Sequence, residues 1–295
     1  MKSTFGSYHP VINFVYFCAV IILGMFLLHP ILLAIAVTAA FSYAFLLGGN
    51  GTLKFTCFFV IPVIAGVSVL NPLLNHRGVT ILTYLGDNPI TMEAIVYGIV
   101  SGFMFAAILL WFSCYNVIMT SDKFVYLFGR IIPSMSLIFS MVLRFVPRFK
   151  VQIKIISQAQ KCVGRDVSNG SIPDKARHGL KILSIMVTWA LENAIDTADS
   201  MKSRGYGLKG RTAFSIYRFD GRDTAVMLLM AVLLTIVLLG AAFGNCKAQY
   251  YPSIELAELG PAPLLVYTAY FILCYLPIIL DVKEAIQWKH SQSKI

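Results

Sequence analysis

Six long apolar runs alternate with short polar or turn-forming segments along the chain. Each approaches the roughly 20 apolar residues that an α-helix needs to cross a bilayer. Pro30 separates the first two runs and predicts a helical hairpin, because proline interrupts a helix. The third run is short and contains Pro62, which predicts a kinked span or, alternatively, a re-entrant segment. The fourth ends at Trp111, a residue that favours the membrane interface. The runs cover residues 11–29, 31–48, 55–70, 91–112, 224–243 and 264–281.

Between the fourth and fifth runs, apolar residues recur at three- and four-residue spacing, which is typical of amphipathic helices. The pattern predicts one helix over residues 129–162 and a second over residues 175–204, joined by a turn-rich connector. Neither helix is apolar enough to span a membrane, and both are too apolar to stand alone in water. We expect them to cross at the membrane surface and to leave apolar area for partner proteins. The polar side of the first helix carries Arg144, Arg148, Lys150 and Lys154. We interpret Arg144 and Arg148, one turn apart, as a solvated or lipid-phosphate-facing stripe.

These patterns predict an all-α, polytopic membrane protein with about six membrane helices and two long crossed helices outside the membrane. The composition agrees, since the 295 residues are 58% hydrophobic and 13% charged, with a mean hydropathy of +0.75. Soluble domains are about 25% charged. The predicted division is residues 1–112 for N-terminal membrane helices, 113–223 for a central domain and 224–295 for C-terminal membrane helices.

The net charge of +10 is concentrated in the central block. Residues 111–224 contain 17 of the 24 Lys and Arg but only 8 of the 14 Asp and Glu. Because basic loops remain in the cytoplasm, this asymmetry predicts a multi-pass protein of the cell membrane, with the central domain and both termini cytoplasmic. Charge placed in this way favours membrane lipid over nucleic acid as a partner.

No residue pattern predicts catalysis or a resident cofactor. The six cysteines are scattered without a Cys-x-x-Cys pair, so neither a disulfide framework nor a zinc site is expected. The five histidines lack a carboxylate at ligand spacing. The glycine-rich stretch SRGYGLKGR at residues 203–211 lacks the residue order and the preceding strand of a phosphate-binding loop. We therefore expect a non-catalytic chain with no cofactor or metal of its own.

Both predicted amphipathic helices end with basic residues beside a glycine. Gly205 follows Arg204 at the end of the second helix, and Gly164 lies between Lys161 and Arg165 at the end of the first. One interpretation is an ordinary helix terminus, since glycine commonly ends helices in the left-handed conformation. The other is that arginine projects into a carboxylate-lined groove of another protein, which its planar guanidinium binds at two points.

Three stretches, in the same order, resemble the transmembrane T component of energy-coupling factor (ECF) transporters. They are HPVINFVYF at residues 9–17, RFVPRFKVQIKIISQAQ at 144–160 and NAIDTADSMKSRGYG at 193–207. The last is similar to the family pattern Ala-x-x-x-Ala-x-x-Met-x-x-Arg-Gly-Tyr. The resemblance covers essentially the whole chain. It implies the coupling subunit of an ABC-type importer, in which two cytoplasmic ATPases, A and A′, use ATP and Mg and a small S component binds a vitamin or other micronutrient.

The resemblance also implies site residues on the two cytoplasmic coupling helices. In this family, two short Arg-containing motifs at the helix ends dock on the ATPases. The second motif corresponds to Ser203, Arg204 and Gly205. In the first, Cys-Val-Gly replaces the family's Ala-Arg-Gly, and either a lysine or a displaced arginine supplies the charge. That motif comprises Lys161, Cys162, Val163, Gly164 and Arg165. The candidates for contact with the S component are Met141, Phe145, Phe149, Met186 and Trp189.

Two other classes of function stay open as alternatives. A stand-alone permease needs polar residues that face one another inside the spans, and a membrane-embedded hydrolase needs His or acidic residues that converge at mid-membrane depth. The predicted spans contain few ions. Glu93, at the start of the fourth span, is close enough to the membrane edge to reach it. Both alternatives therefore rank below the coupling subunit, and the hydrolase ranks last.

Overall fold

Helices make up most of the structure. The computed structural model describes residues 3–85, 88–129, 133–165, 171–206, 208, 217–257 and 260–292. Within these residues, five helices are long and apolar enough to cross a membrane, and α1 is a shorter apolar helix of 17 residues. The prediction of an all-α polytopic membrane protein is confirmed. The helices are α1 (Pro10–Phe26), α2 (Pro30–Gly48), α3 (Asn50–Leu74), α4 (Met92–Ile118), α5 (Ser121–Gly129), α6 (Pro133–Cys162), α7 (Ile172–Ser203), α8 (Gly221–Ala242) and α9 (Pro261–Gln292).

An aromatic core joins the first, second, fourth and last apolar helices. Trp111 of α4 is only 1% exposed, and its ring lies 5.9 Å from Tyr16 and 6.2 Å from Phe17, both edge to face. Helix α4 continues past Trp111 to Ile118, beyond the predicted end of the fourth span. The position of Trp111 at the membrane interface stays a prediction. Indole favours an interface when one edge meets water, but this ring is enclosed by aromatic neighbours.

The third span is one continuous helix of 25 residues, longer than the run that predicted it. A π-helical turn at Thr56–Val60 directly precedes Pro62. Proline has no backbone N–H to donate to the preceding turn and its ring crowds that turn, and single π turns are a common local adjustment within α-helices. The helix thus passes the proline without ending, and it is long and apolar enough to cross a membrane.

A two-stranded hairpin precedes α4, where the sequence suggested only turns. Strand β1 (Ile81–Leu85) pairs antiparallel with β2 (Asn88–Thr91), and a second short pair joins β3 (Ala248–Gln249) to β4 (Glu255–Leu256). Glu93 is 5% exposed and accepts hydrogen bonds from the Thr80 N–H at 3.1 Å and the Thr80 hydroxyl at 2.8 Å. Its charge is therefore used in fastening the hairpin to the start of α4.

Two glycines let α3 and α4 pack closely. Gly98 and Gly102 lie one turn apart on α4, which is the small-xxx-small spacing of closely packed membrane helices. A Cβ atom at Gly98 would lie 3.0 Å from the Ser68 carbonyl oxygen, and one at Gly102 would lie 3.1 Å from that of Ile64. Backbone atoms cannot turn aside as a side chain can, so only glycine fits at this separation.

The chain divides into two compact units. One comprises Met1–Lys123 together with Tyr217–Ile295, and the other comprises Phe124–Ile216. The first unit contains the six apolar helices, and the second contains α6 and α7. The second unit is therefore an insertion between two parts of the first. The division at 112 and 223 remains a prediction about which residues act in coupling.

We expect the double substitution Gly98→Ala with Gly102→Ala to lower the stability of the protein in detergent. Overpacking of this kind typically costs about 1–3 kcal/mol. Gly66→Ala in α3 is the matched control, because a Cβ there would meet nothing within 4 Å. Thermal unfolding followed by circular dichroism measures both variants. A double variant as stable as the Gly66→Ala control would contradict the close packing of α3 on α4.

Candidate functional site

Helices α6 and α7 contact each other through a cluster of aromatic and polar side chains. Phe149 of α6 meets Trp189 of α7 edge to face, with 5.7 Å between ring centroids, and Phe145 stacks on Phe149 at 5.9 Å. The Arg148 guanidinium lies over the Trp189 ring at 5.4 Å and donates to the Asn193 Oδ1 at 2.9 Å. The assignment of Arg148 to a solvated or lipid-facing stripe was therefore incomplete, since its head group also contacts the facing helix.

The five candidates for S-component contact do not share one environment. Met186 is only 7% exposed and packs inside the unit, whereas the other four are half-buried. More exposed apolar side chains follow a spacing of three or four residues along each helix, so each helix presents a row on one face. Three of them, Val146, Val187 and Leu191, were missed by the sequence analysis, although the same spacing predicts them. The exposed rows are Ile138, Val142, Val146 and Ile153 on α6, and Leu180, Leu183, Val187, Leu191 and Ile195 on α7.

Both long helices end with the same backbone geometry. Gly164 after α6 has φ of +76°, and Gly205 after α7 has φ of +79°. The residue that follows each glycine donates its N–H back to a helical carbonyl, Arg165 to Gln160 at 2.9 Å and Tyr206 to Met201 at 3.0 Å. This six-residue closure is the Schellman motif, and glycine adopts its left-handed position without steric cost.

The matching closures align the two ends residue by residue. Val163 occupies the position of Arg204, immediately before the glycine, and Lys161 occupies the position of Lys202. Val163 is 68% exposed, and the Arg204 side chain is exposed as well. The two helix ends thus have the same backbone conformation but different side chains. The end of α7 presents the Arg204 guanidinium where the end of α6 presents the Val163 isopropyl group.

All eight residues of the two candidate motifs lie at these ends, and every one except Gly205 is exposed. The structure brings the members of each motif together within one helix terminus. Arg165 lies just after its glycine, in the position that Tyr206 occupies at the other end. Two of the predicted features lie partly outside the described residues. They are the turn-rich connector, at residues 166–170, and the glycine-rich stretch, at residues 207 and 209–211.

No group of three or more His, Cys, Asp or Glu side chains that could hold a metal ion occurs within the described part of the chain. The exposed side chains of the α6–α7 unit include basic residues at the helix ends and apolar rows along the helices. Such an arrangement can bind carboxylates at the ends and apolar surfaces along the helices.

The fold and the helix ends define a class: a polytopic α-helical membrane protein with two long amphipathic helices whose basic ends are exposed. A sequence model of the CbiQ family, described as cobalt transport protein, matches residues 3–214. That match covers most of the chain, and the chain therefore belongs to this family.

Curated relatives carry the name energy-coupling factor transporter transmembrane protein EcfT. The protein of Listeria innocua serovar 6a is 34% identical over 100 residues, which is 34% of this chain and 38% of the relative. The protein of Exiguobacterium sibiricum is 34% identical over 99 residues, which is 33% of this chain. The protein of Bacillus subtilis is 30% identical over 100 residues, which is 34% of this chain. Each alignment spans only 38% of the relative's length. These findings confirm the resemblance to the T component of ECF transporters, a membrane component of a transporter.

We expect Gly164→Ala to open the closure of α6. Nothing lies within 4 Å of a Cβ at this position, so the penalty comes from the left-handed backbone alone, about 1–2 kcal/mol. Hydrogen exchange at the Arg165 amide should become roughly five- to thirtyfold faster. Gly205→Ala should do the same at the Tyr206 amide. Gly179→Ala, inside α7 and also without neighbours within 4 Å, is the control and should leave both amides protected. Unchanged exchange at Arg165 in Gly164→Ala would contradict the closure.

Proposed function

We propose that the chain is the membrane-embedded coupling subunit of an ECF-type importer. The observation that carries the proposal is the pair of matching helix ends, each of which exposes basic side chains next to a glycine closure. Membership of a transport-protein family and the names of the EcfT relatives support it. In this function two cytoplasmic ATPases, A and A′, use ATP and Mg, and a separate S component binds the vitamin, metal or other micronutrient.

Arg204 is the proposed contact with one ATPase. It is the last residue before Gly205, and its backbone φ and ψ of −86° and +11° end the helical run. A guanidinium at a helix end can reach a carboxylate in a groove and bind it through two parallel hydrogen bonds. Ser203 and Gly205 complete the motif, and the absence of a Cβ at Gly205 allows the partner's backbone to approach closely.

Arg165 is the proposed charged contact at the first end. Because the residue equivalent to Arg204 is Val163, the first motif lacks a guanidinium there, and the nearest arginine comes two positions later. Lys161 is the less suitable alternative, since its equivalent at the second end is Lys202, which precedes Arg204 and does not replace it. Cys162, Val163 and Gly164 form the remaining surface of this motif.

In this proposal, the contact between α6 and α7 transmits movement of the helix ends to the S component. When ATP brings the ATPases together, the two ends move and the angle between the helices changes at the Phe149–Trp189 contact. The exposed apolar rows, together with Met141, Phe145, Phe149 and Trp189, hold the S component and tilt it. Substrate specificity lies in that component. Met186, which is buried, supports this surface from within.

The proposed orientation places the α6–α7 unit, the coupling domain of residues 113–223 and both termini in the cytoplasm, with the protein in the cell membrane. The concentration of Lys and Arg in the central block supports it, since basic segments are retained on the cytoplasmic side. Cations in this block also meet anionic lipid headgroups there.

We expect Arg204→Ala to abolish ATP-driven uptake and to weaken ATPase binding tenfold or more, as the loss of a hydrogen bond to a charged group does. Arg204→Lys should also fail, because lysine cannot form the two-point contact. Arg177→Ala, an exposed arginine near the start of the same helix, is the control. Co-purification of the ATPases and uptake into membrane vesicles measure the effect. Uptake as in Arg177→Ala would remove Arg204 from coupling, and uptake without any bound ATPase would favour a stand-alone permease.

Arg165 and Lys161 are the two candidates for the charged contact at the end of α6, and they predict opposite results. If Arg165 supplies the charge, Arg165→Ala should lose the second ATPase contact while Lys161→Ala keeps it. The same co-purification, with each ATPase quantified separately, distinguishes them. Loss of binding in Lys161→Ala with normal binding in Arg165→Ala would assign the role to the lysine.

Arg148→Met tests the transmission. The substitution removes the cation–π contact with Trp189 and the hydrogen bond to Asn193, but it keeps much of the apolar stem. We expect ATPase binding to persist while uptake per ATP hydrolysed falls. Arg144→Met, one turn earlier on the same helix and exposed, is the control. Equal uptake per ATP in both variants would contradict a role for this contact.

A further inference from the structure

The short segment that precedes α1, with the first turn of α1, is held by buried polar contacts. We call it the N-terminal segment, residues Ser3–Asn13, and it includes a single turn of 3₁₀-helix at Phe5–Ser7. Phe5 is fully buried, and His9 and Asn13 are 8% and 0% exposed. Chain termini are usually poorly ordered unless specific contacts fix them. This one is fixed by three charged residues from other parts of the chain.

Lys123 makes the first contact. Its side chain is 7% exposed, and the ammonium group donates to the Gly6 carbonyl and, at 3.1 Å, to the Ile118 carbonyl at the end of α4. With the Asn13 amide in the orientation that satisfies both of its neighbours, its oxygen accepts from Lys123 Nζ at 3.0 Å and its nitrogen donates to Phe5 at 2.9 Å. All three acceptors of the ammonium are neutral. Burial lowers the pKa of Lys123 from its ordinary value.

Asp281 of α9 makes the second contact. Its carboxylate accepts from the Phe5 N–H at 2.8 Å and from the Ser3 hydroxyl at 3.0 Å. The same hydroxyl lies 3.1 Å from the Tyr43 hydroxyl of α2. Hydrogen bonds to an ionised group are stronger than those between neutral groups, so Asp281 ties the segment firmly to the last helix.

Asp223 of α8 makes the third contact. One of its carboxylate oxygens accepts from the His9 N–H at 3.3 Å, and the other accepts from the Asp220 N–H at 3.0 Å, which completes a capping box at the start of α8. The Phe219 ring meets the His9 ring edge to face at 5.0 Å. The segment therefore contacts the residues at which α8 begins.

Lys123 and Asp223, which contact the N-terminal segment, lie close to the two points where the inserted unit begins and ends in the sequence. The chain leaves the first unit after Lys123 and returns to it at Tyr217. Lys123 is the last residue before the inserted unit, and Phe219 and Asp223 lie within seven residues of the point where the chain returns. One short segment thus contacts residues that flank the insertion on both sides. A purely apolar contact would fill the space equally well, whereas an ammonium group with three acceptors fixes position and direction.

We propose that the N-terminal segment is a clamp that fixes both connections of the inserted α6–α7 unit to the membrane helices, and that Lys123 is its principal positioning residue. The clamp keeps the two connections at a constant place while the unit moves. Without the clamp, movement of the ends of α6 and α7 displaces the two connections. Less of that movement then reaches the S component. This consequence rests on the proposed coupling function, but the clamp itself does not.

Lys123→Met tests the clamp, because it keeps an apolar side chain of similar length and removes the ammonium. The first measurement is hydrogen exchange of the purified full chain in lipid nanodiscs, with peptides covering residues 3–13 and 217–226. We expect exchange in both peptides to become about tenfold faster, the size expected for lost hydrogen bonds to a charged group. A local role alone would accelerate only residues 3–13. Unchanged exchange at 217–226 would therefore overturn the proposal.

The second measurement is the number of ATP molecules hydrolysed per substrate molecule taken up, with the whole transporter in proteoliposomes. We expect this ratio to rise several-fold in Lys123→Met while ATPase binding persists. Lys123→Arg, which keeps charge and donors, should restore part of the wild-type ratio. Lys283→Met, an exposed lysine of α9, is the control and should change neither measurement. If the wild-type transporter couples ATP hydrolysis to uptake and Lys123→Met shows the same ratio of ATP to substrate, the clamp has no role in coupling.

A milder variant covers the case in which Lys123→Met does not fold. Ser3→Ala removes the hydroxyl contacts with Asp281 and Tyr43. It leaves Lys123 and the hydrogen bond from Phe5 to Asp281 in place, so it should change both measurements in the same direction but by less. The two proposals fail separately. If the wild-type transporter shows no ATP-driven uptake, the coupling function is wrong and hydrogen exchange still decides the clamp. If Arg204→Ala uncouples while the Lys123 and Ser3 variants behave as wild type, the clamp alone is wrong.

Discussion

Two backbone hydrogen bonds, Arg165 to Gln160 and Tyr206 to Met201, end the long helices of the inserted unit. Each needs a residue with positive φ just past the last turn, and glycine fills that place in both. Because the closure reverses the chain within two residues, it fixes which side chains extend beyond each helix. The basic groups proposed to meet the ATPases depend on this abrupt ending, since a frayed terminus would hold no side chain in a constant direction.

The identical closures make the chemical difference between the two ends informative. A guanidinium at Arg204 suits a groove with a carboxylate at a defined depth, whereas Val163 in the equivalent place suits an apolar one. In the proposed function, the two ends thus address two ATPases that are not interchangeable. Within the first unit, the aromatic core around Trp111 and the contacts of Lys123 fix the residues from which the insertion starts.

Much of the architecture could be predicted because its causes are local. Apolar runs of bilayer length make helices whose backbone groups satisfy one another, as a membrane requires. Proline at the start of α1 and α2 and glycine after α6 and α7 signal helix boundaries through their own backbone preferences. The positions of both candidate motifs at helix ends follow from that same chemistry, as does their family resemblance.

What could not be predicted depends on partners distant in the sequence. Trp111 lies in a core because Tyr16 and Phe17 surround it, and the same indole in another fold would suit an interface equally well. Arg148 looked solvated until Trp189 was placed beneath it. Lys123 looked like one more cation of a basic block, and only the fold encloses it among carbonyls.

The sequence by itself determined the number and type of the apolar helices, the amphipathic character of α6 and α7 and the sites where they end. These features follow from hydrophobic periodicity and from the φ preferences of single residues, which act within a few positions along the chain. The tertiary structure alone decided the contact of Arg148 with Trp189 and the burial of Lys123. Those outcomes require groups 41 to 117 residues apart to meet. The environment that folding creates therefore determines what a charged side chain does.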